Sequence, residues 1–175
     1  MNYIHDFEAG LRFDEYLAVV KQHADLWLGI HARTEVHASD IARVEATARQ
    51  WHLLVISEDW CGDAVNTVPV IARLAEQASN VDLRIIARDE NLEVMDRHLS
   101  PTGGRAIPVV MILDASFDEV AWWGSRPAEL QAWYLSEGAL LEKGERYKRA
   151  RGWYARDRGR STVQEILALM EGALS

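Results

Sequence analysis

The single cysteine of this sequence, at position 61, has a side chain that could act as a nucleophile towards sulfur. It follows the apolar run 52–57, whose length and β-branched content predict a strand buried on both faces. Helical spacing of apolar residues resumes at Ala64. Cys61 should therefore lie where a strand passes into a helix, next to backbone N–H groups that have no partner within the helix.

The surroundings of Cys61 act on its pKa in opposite directions. A helix N-terminus stabilises an anion by about 0.3–1 kcal/mol, and one pKa unit corresponds to about 1.4 kcal/mol. Glu58, Asp59 and Asp63 place negative charge near the same sulfur, which disfavours the thiolate. We expect an exposed, reactive thiol with a near-normal or modestly lowered pKa. The alternative is a small apolar side chain that only fills the core.

The elements that must position Cys61 follow from periodicity and turn signals. An amphipathic helix is predicted over 13–30 and a second helix from Ser39 towards residue 50. Ser161 and Gln164 have the spacing of a capping box that opens a last helix. The remaining predictions are strands over 52–57, 81–87, 107–113 and 119–123, and helices over 64–78, over 91–99 and from Pro127 onward.

The order of these elements predicts the fold class. Strand, helix and strand, then a hairpin over 114–118 and further helices, indicate an α/β protein whose central mixed sheet is flanked by helices. A length of 175 residues suits a single domain over 1–175.

Composition excludes several classes of protein. A net charge of −8 argues against nucleic-acid binding, and a single cysteine excludes an internal disulfide and a multi-thiolate zinc site. The histidines show no metal-ligand spacing, so no metal site is expected. The first ten residues do not resemble a secretory signal, and no run of about 18 apolar residues occurs. We expect a cytoplasmic protein that does not bind membranes.

Three smaller features are expected to have mainly structural roles. The basic segment 143–160 could hold an anion or RNA, but a solvated, ion-paired helical surface is the favoured interpretation. His98 is expected to be exposed. Trp122 and Trp123 alternate on a strand and should point to opposite faces, so at most one of them could join Trp60 in an apolar rim near the thiol.

Three ordered markers around Cys61 resemble the thioredoxin family. Trp60-Cys61-Gly62 matches the start of the family's Trp-Cys-Gly-Pro-Cys motif, Pro69 corresponds to its helix-kinking proline, and residues 105–108 look like its cis-proline loop. The resemblance covers about 38–125. It implies a thioredoxin-like core over 38–125, an N-terminal helical extension over 1–37, C-terminal helices over 126–175, and a cis bond between Ile107 and Pro108.

A narrower resemblance adds no substrate. The segments 58–64 and 88–92, which include Trp-Cys-Gly-Asp-Ala, look like a poorly characterised bacterial thioredoxin-related subgroup. Two departures from the family matter more. Ala64 stands where the resolving cysteine should be, and Val55 stands where the family has a buried acid. Ordinary dithiol turnover is therefore not expected, because nothing within the chain could release a mixed disulfide.

The resemblance implies one catalytic residue and a small set of substrate-binding residues. The catalytic residue is Cys61, and the substrate-binding residues are Trp60, Gly62, Asp63, Ile107 and Pro108. The first hypothesis is monothiol redox activity on protein thiols and disulfides or on a small thiol, with no bound cofactor and with glutathione as a candidate co-substrate. The alternative is a non-catalytic binding or adaptor module that keeps the fold and its groove.

Overall fold

A mixed β-sheet forms the centre of the computed structural model, which describes residues 1–174. Its strands within that range are β1 (Trp51–Ser57), β2 (Val81–Ala87), β3 (Val109–Leu113) and β4 (Glu119–Gly124), in the spatial order β2-β1-β3-β4. β1 is parallel to β2 and antiparallel to β3, and β3 is antiparallel to β4. This architecture confirms the predicted α/β class with a mixed central sheet.

Helices surround the sheet. Within residues 1–174 they are α1 (Ile4–Ala9), α2 (Phe13–Val19), α3 (Ala24–Arg33), α4 (Ala38–Ala46), α5 (Gly62–Gln77), α6 (Leu92–Met95), α7 (Ala128–Leu135), a 3-10 turn (Glu137–Leu140), α8 (Lys143–Asp157) and α9 (Arg160–Gly172). In the described part of the chain, no helix has the length and apolar character that crossing a bilayer requires.

β1 is the strand that precedes the segment containing Cys61. All seven of its residues are buried, because β2 and β3 flank it and helices cover it. The chain leaves β1 at Ser57 and enters α5 at Gly62, with Cys61 as the N-cap residue. Pro69 lies inside α5, as the sequence predicts. The strand–helix junction therefore directly follows a central strand that is buried along its whole length.

The predicted helix over 13–30 is wrong in one respect, because it is two helices. The chain breaks after Val19 and restarts at Ala24, with His23 in the left-handed region at φ 59°. The carboxylate of Asp59 accepts hydrogen bonds from the backbone N–H groups of Lys21 (2.7 Å) and Gln22 (3.0 Å), and so holds the break in place. This long-range contact interrupts the helix that the local spacing of apolar residues predicts.

Smaller corrections concern element ends. The third strand begins at Val109 rather than 107, because Pro108 has no N–H to donate to the sheet. The capping box is also wrong: α9 follows Gly159, at φ 80°, and the backbone N–H of Ser161 instead bonds the Asp157 carboxylate. α1 has no counterpart among the predicted elements, and α6 is shorter than the helix predicted over 91–99.

His98 is buried rather than exposed, with 2% of its surface accessible. Its Nδ1 lies 2.9 Å from the Val94 carbonyl and its Nε2 lies 3.1 Å from the Glu119 carboxylate. Burial lowers the pKa of His98, but the hydrogen bonds to Glu119 and Val94 and the charge of Glu119 outweigh it, so that the net direction is upward. The sequence could not show that β4 brings Glu119 to this ring.

Replacing His98 by glutamine should therefore destabilise the protein more at low pH than at high pH. A histidine whose pKa is raised on folding adds stability that is complete below about pH 6.5 and is lost as the pH rises through the folded-state pKa. We expect the variant to lose about 1–3 kcal/mol of unfolding free energy near pH 6, and less near pH 8.5, in urea titrations. His37→Gln, at an exposed histidine, is the control. An equal loss at both pH values would contradict the charged pair.

Candidate functional site

Cys61 lies at the N-terminus of α5 and faces the loop that precedes β3. Its thiol donates a hydrogen bond of 3.3 Å to the carbonyl oxygen of Ile107. The Ile107–Pro108 peptide bond is cis. The structure thus brings together Cys61 and the proline loop, which are 46 residues apart in the sequence.

The thiol is buried, with 8% of the residue's surface exposed. Burial raises the pKa of Cys61 and the nearby Asp63 charge adds to the rise, while the backbone N–H groups of Ala64 and Asp63 and the charge of Arg126 oppose it. The expectations of an exposed thiol and of a near-normal or lowered pKa are both wrong. Loss of water around the sulfur outweighs the stabilisation that one helix end can give.

A cleft of about 460 Å³ opens above the thiol. Five of the six predicted site residues line it, namely Trp60, Cys61, Gly62, Asp63 and Ile107, whereas Pro108 does not. The other lining residues come from the turn between α2 and α3, the loops after β2 and β4, the proline loop and helices α5, α7 and α8: His23, Asn66, Arg88, Arg105, Ala106, Arg126, Tyr134, Tyr147, Ala150, Arg151 and Tyr154.

Aromatic side chains form part of the cleft. Trp60 is 41% exposed, and the guanidinium group of Arg88 lies 4.9 Å from its ring centroid. Tyr147, on α8, is 51% exposed. Trp122 and Trp123 do point to opposite faces of β4, the first exposed and the second buried, but neither lines the cleft. The aromatic residues that line the cleft together with Trp60 are therefore tyrosines of the C-terminal helices rather than tryptophans of β4.

A buried polar cluster joins the start of α5 to the C-terminal helices. Tyr154 donates a hydrogen bond of 2.8 Å to one carboxylate oxygen of Asp63, and Arg126 forms an ion pair of 2.7 Å with the other. The guanidinium group of Arg126 also lies 3.9 Å from the ring centroid of Tyr134. Burial raises the pKa of Asp63, and Arg126 and Tyr154 act against that rise. Asp63 thus connects the cysteine-bearing helix to the C-terminal part of the chain.

Sequence reasoning missed Arg126, Tyr134 and Tyr154. The segment 143–160 is more than the solvated, ion-paired helical surface that the sequence favours, because one face of α8 lines the cleft and buries Ala150 and Tyr154. A signal was available, because residues 147, 150 and 154 are three and four apart and therefore share one face of a helix. No such periodicity could have shown which element that face covers.

The structure has neither a thiol nor an acidic side chain at the two positions where the family has its resolving cysteine and its buried acid. Ala64 is fully buried on the first turn of α5, and Val55 is fully buried within β1. Among the described residues no cluster of three or more histidine, cysteine or acidic side chains could hold a metal ion. The chemistry that this cleft can offer therefore rests on one sulfur, a charged aromatic lining and the proline loop.

Comparison with known proteins supports the fold. The sequence profile of the thioredoxin family matches residues 10–147. The crystal structure of a Pseudomonas aeruginosa protein of unknown function is similar, with 21% identity, a TM-score of 0.74 and 99% of each chain covered. An HIV epitope-scaffold is also similar, with 21% identity, a TM-score of 0.67, and 98% of this chain and 99% of that chain covered. At such identity the likeness concerns the fold alone.

No curated protein matches the sequence. The family match nonetheless covers well over half of the chain, and it includes the strand–helix junction, the single cysteine and the proline loop described above. The protein therefore belongs to the thioredoxin family.

Proposed function

We propose that the protein is a monothiol member of its family, in which Cys61 exchanges with disulfides and an external thiol completes the cycle. One observation carries the proposal: the only sulfhydryl group of the chain lies at a helix N-terminus, lines a cleft and contacts the proline loop. A cysteine kept only for packing has no need of an opening above it.

The reaction has two steps. The Cys61 thiol loses its proton to solvent, and the thiolate attacks one sulfur of a disulfide; a bond forms between Cys61 and that sulfur while the second sulfur leaves as a thiolate. An external thiol then attacks the mixed disulfide, releases Cys61 and carries the first sulfur away as a new disulfide. A reducing compartment such as the cytoplasm would supply that thiol. No bound cofactor takes part.

A binding module is the competing function. The burial that raises the Cys61 pKa and the absence of a second thiol at Ala64 both favour it. In that case the cleft would hold a ligand without any bond to sulfur, and Cys61→Ser would retain the full binding affinity.

Intact mass spectrometry after incubation with bis(2-hydroxyethyl) disulfide, a small neutral reagent, separates the two functions. We expect a single adduct on the native protein, its removal by dithiothreitol, and no adduct on Cys61→Ser. The matched variant Ala64→Ser, which leaves Cys61 in place, should still form the adduct. If the folded wild type stays unmodified while an unstructured cysteine peptide reacts fully, the redox proposal is wrong.

The rate of adduct formation should continue to rise up to a higher pH than it does for an ordinary thiol. Only the thiolate attacks, and burial raises the pKa of Cys61, so the thiolate fraction is small at neutral pH. We expect the rate to increase nearly tenfold per pH unit from about pH 7 and to show no plateau up to about pH 9. The unstructured peptide should level off earlier. A plateau below about pH 8 would contradict the raised pKa.

A further inference from the structure

The C-terminal helices contribute much of the cleft around Cys61. Tyr134 of α7 and Tyr147, Ala150, Arg151 and Tyr154 of α8 all line it. With these helices present, the thiol keeps only 8% exposure and the cleft has a volume of about 460 Å³. Sites for small molecules typically measure about 300–1,000 Å³. The dimensions suit a small molecule better than a disulfide held within a folded protein surface.

The lining of the cleft carries an excess of positive charge. Four arginines line it, Arg88, Arg105, Arg126 and Arg151, against the single carboxylate of Asp63. This is the opposite of the whole chain, whose net charge is −8. Guanidinium groups clustered beside the one thiol of an acidic protein would attract an anion to the cleft.

Three of these arginines already have acidic partners. Arg126 pairs with Asp63 at 2.7 Å, Arg88 with Asp89 at 2.8 Å, and Arg105 with Asp96 through hydrogen bonds of 2.6 and 2.8 Å. Within residues 1–174 no ion pair or hydrogen bond of the Arg151 side chain is formed, and this residue is exposed. Arg151 therefore supplies the uncompensated charge of the cleft.

We infer that the disulfide which Cys61 attacks is a small molecule carrying carboxylate or other anionic groups, and that Arg151 recognises an anionic group of it. The inference rests on the proposed exchange reaction and specifies its substrate class. The aromatic faces of Trp60 and Tyr147 contact the apolar part of the ligand, and Arg151 binds its charge. Arg151 touches the substrate but takes no part in bond making or breaking.

Three small disulfides and one protein disulfide test the substrate class. Oxidised glutathione is anionic, bis(2-hydroxyethyl) disulfide is neutral, cystamine is cationic, and insulin represents proteins. Each rate of mixed-disulfide formation is divided by the rate of an unstructured cysteine peptide with the same reagent, which cancels differences in intrinsic reactivity. We expect oxidised glutathione to exceed the neutral reagent by about tenfold at low salt, cystamine to react more slowly than the neutral reagent, and insulin to be slowest.

The variant Arg151→Ala tests the residue. It should lower the rate with oxidised glutathione by about three- to tenfold and leave the rate with the neutral disulfide within about twofold. Any change in the Cys61 pKa affects both reagents equally, so the ratio of the two rates isolates recognition. Arg149→Ala is the matched control, because Arg149 lies on the same helix, bonds Glu145 at 3.0 Å and does not line the cleft. Added salt should reduce the wild-type preference.

The outcomes separate this inference from the reaction on which it rests. Reaction with the neutral disulfide but no preference for the anionic one overturns the substrate class and keeps the exchange reaction. A preference that Arg151→Ala leaves unchanged overturns the recognition role of Arg151. A rate with insulin above the rates with the small disulfides also overturns the substrate class and keeps the exchange reaction. Absence of adducts with every reagent on the folded protein overturns both.

Discussion

Asp63→Ala should lower the free energy of unfolding by about 3–5 kcal/mol, because it leaves the largely buried guanidinium group of Arg126 without its counter-charge. Arg126 and Asp63 expose only 18% and 11% of their side chains, and Tyr154 loses its hydrogen-bond acceptor in the same change. Chemical denaturation at neutral pH measures the loss. The cluster links α5 to α8, so we also expect the tyrosines that line the cleft to lose their fixed positions.

The double variant Asp63→Ala/Arg126→Met distinguishes an unpaired charge from simple loss of packing. Replacing a whole buried ion pair by apolar groups is often close to neutral, whereas removal of one partner is costly. The double variant should therefore recover a large part of the stability that Asp63→Ala loses. Tyr154→Phe, which removes only the hydroxyl group, should cost about 1 kcal/mol. An Asp63→Ala variant as stable as the wild type would show that the cluster contributes nothing to the fold.

Ala64→Cys should convert the monothiol site into one that resolves its own mixed disulfide. Residue 64 lies on the first turn of α5, three residues after Cys61, which is the spacing at which helical neighbours meet. An introduced thiol there could attack the adduct on Cys61 from within the chain. The wild type should release about one equivalent of thiol from bis(2-hydroxyethyl) disulfide and keep its adduct, whereas the variant should release about two and end with an internal disulfide.

The size of this effect follows from the change from an external to an internal nucleophile. An intramolecular reaction in a favourable geometry has a high effective concentration, so the lifetime of the adduct should fall by about a hundredfold or more. Ala64 is fully buried, and the added sulfur should cost about 1–3 kcal/mol through overpacking. Ala64→Ser gives nearly the same volume without a thiol and should retain the adduct. A persistent adduct on folded Ala64→Cys would mean that the two side chains cannot meet.

Local sequence was sufficient for the order and approximate position of the strands. The run 52–57 predicted β1 because a strand buried on both faces must be apolar throughout, and it is buried along its whole length. The order of strand, helix, strand and hairpin gave the mixed sheet, since short connections and the hand of the crossover leave few other arrangements. Helix breaks were less predictable. The interruption near His23 depends on the Asp59 carboxylate, 36 residues further along the chain.

The sequence by itself determined that the chain has one thiol, Cys61, at a strand–helix junction, because residue identity and periodicity are local properties. Only the tertiary structure decided the environment of that thiol. Burial raises the pKa of the thiol, and the C-terminal helices bring Arg151, Tyr147 and Tyr154 to its cleft. Desolvation and the packing of distant helices depend on all surrounding elements at once, and no pattern confined to one segment records them.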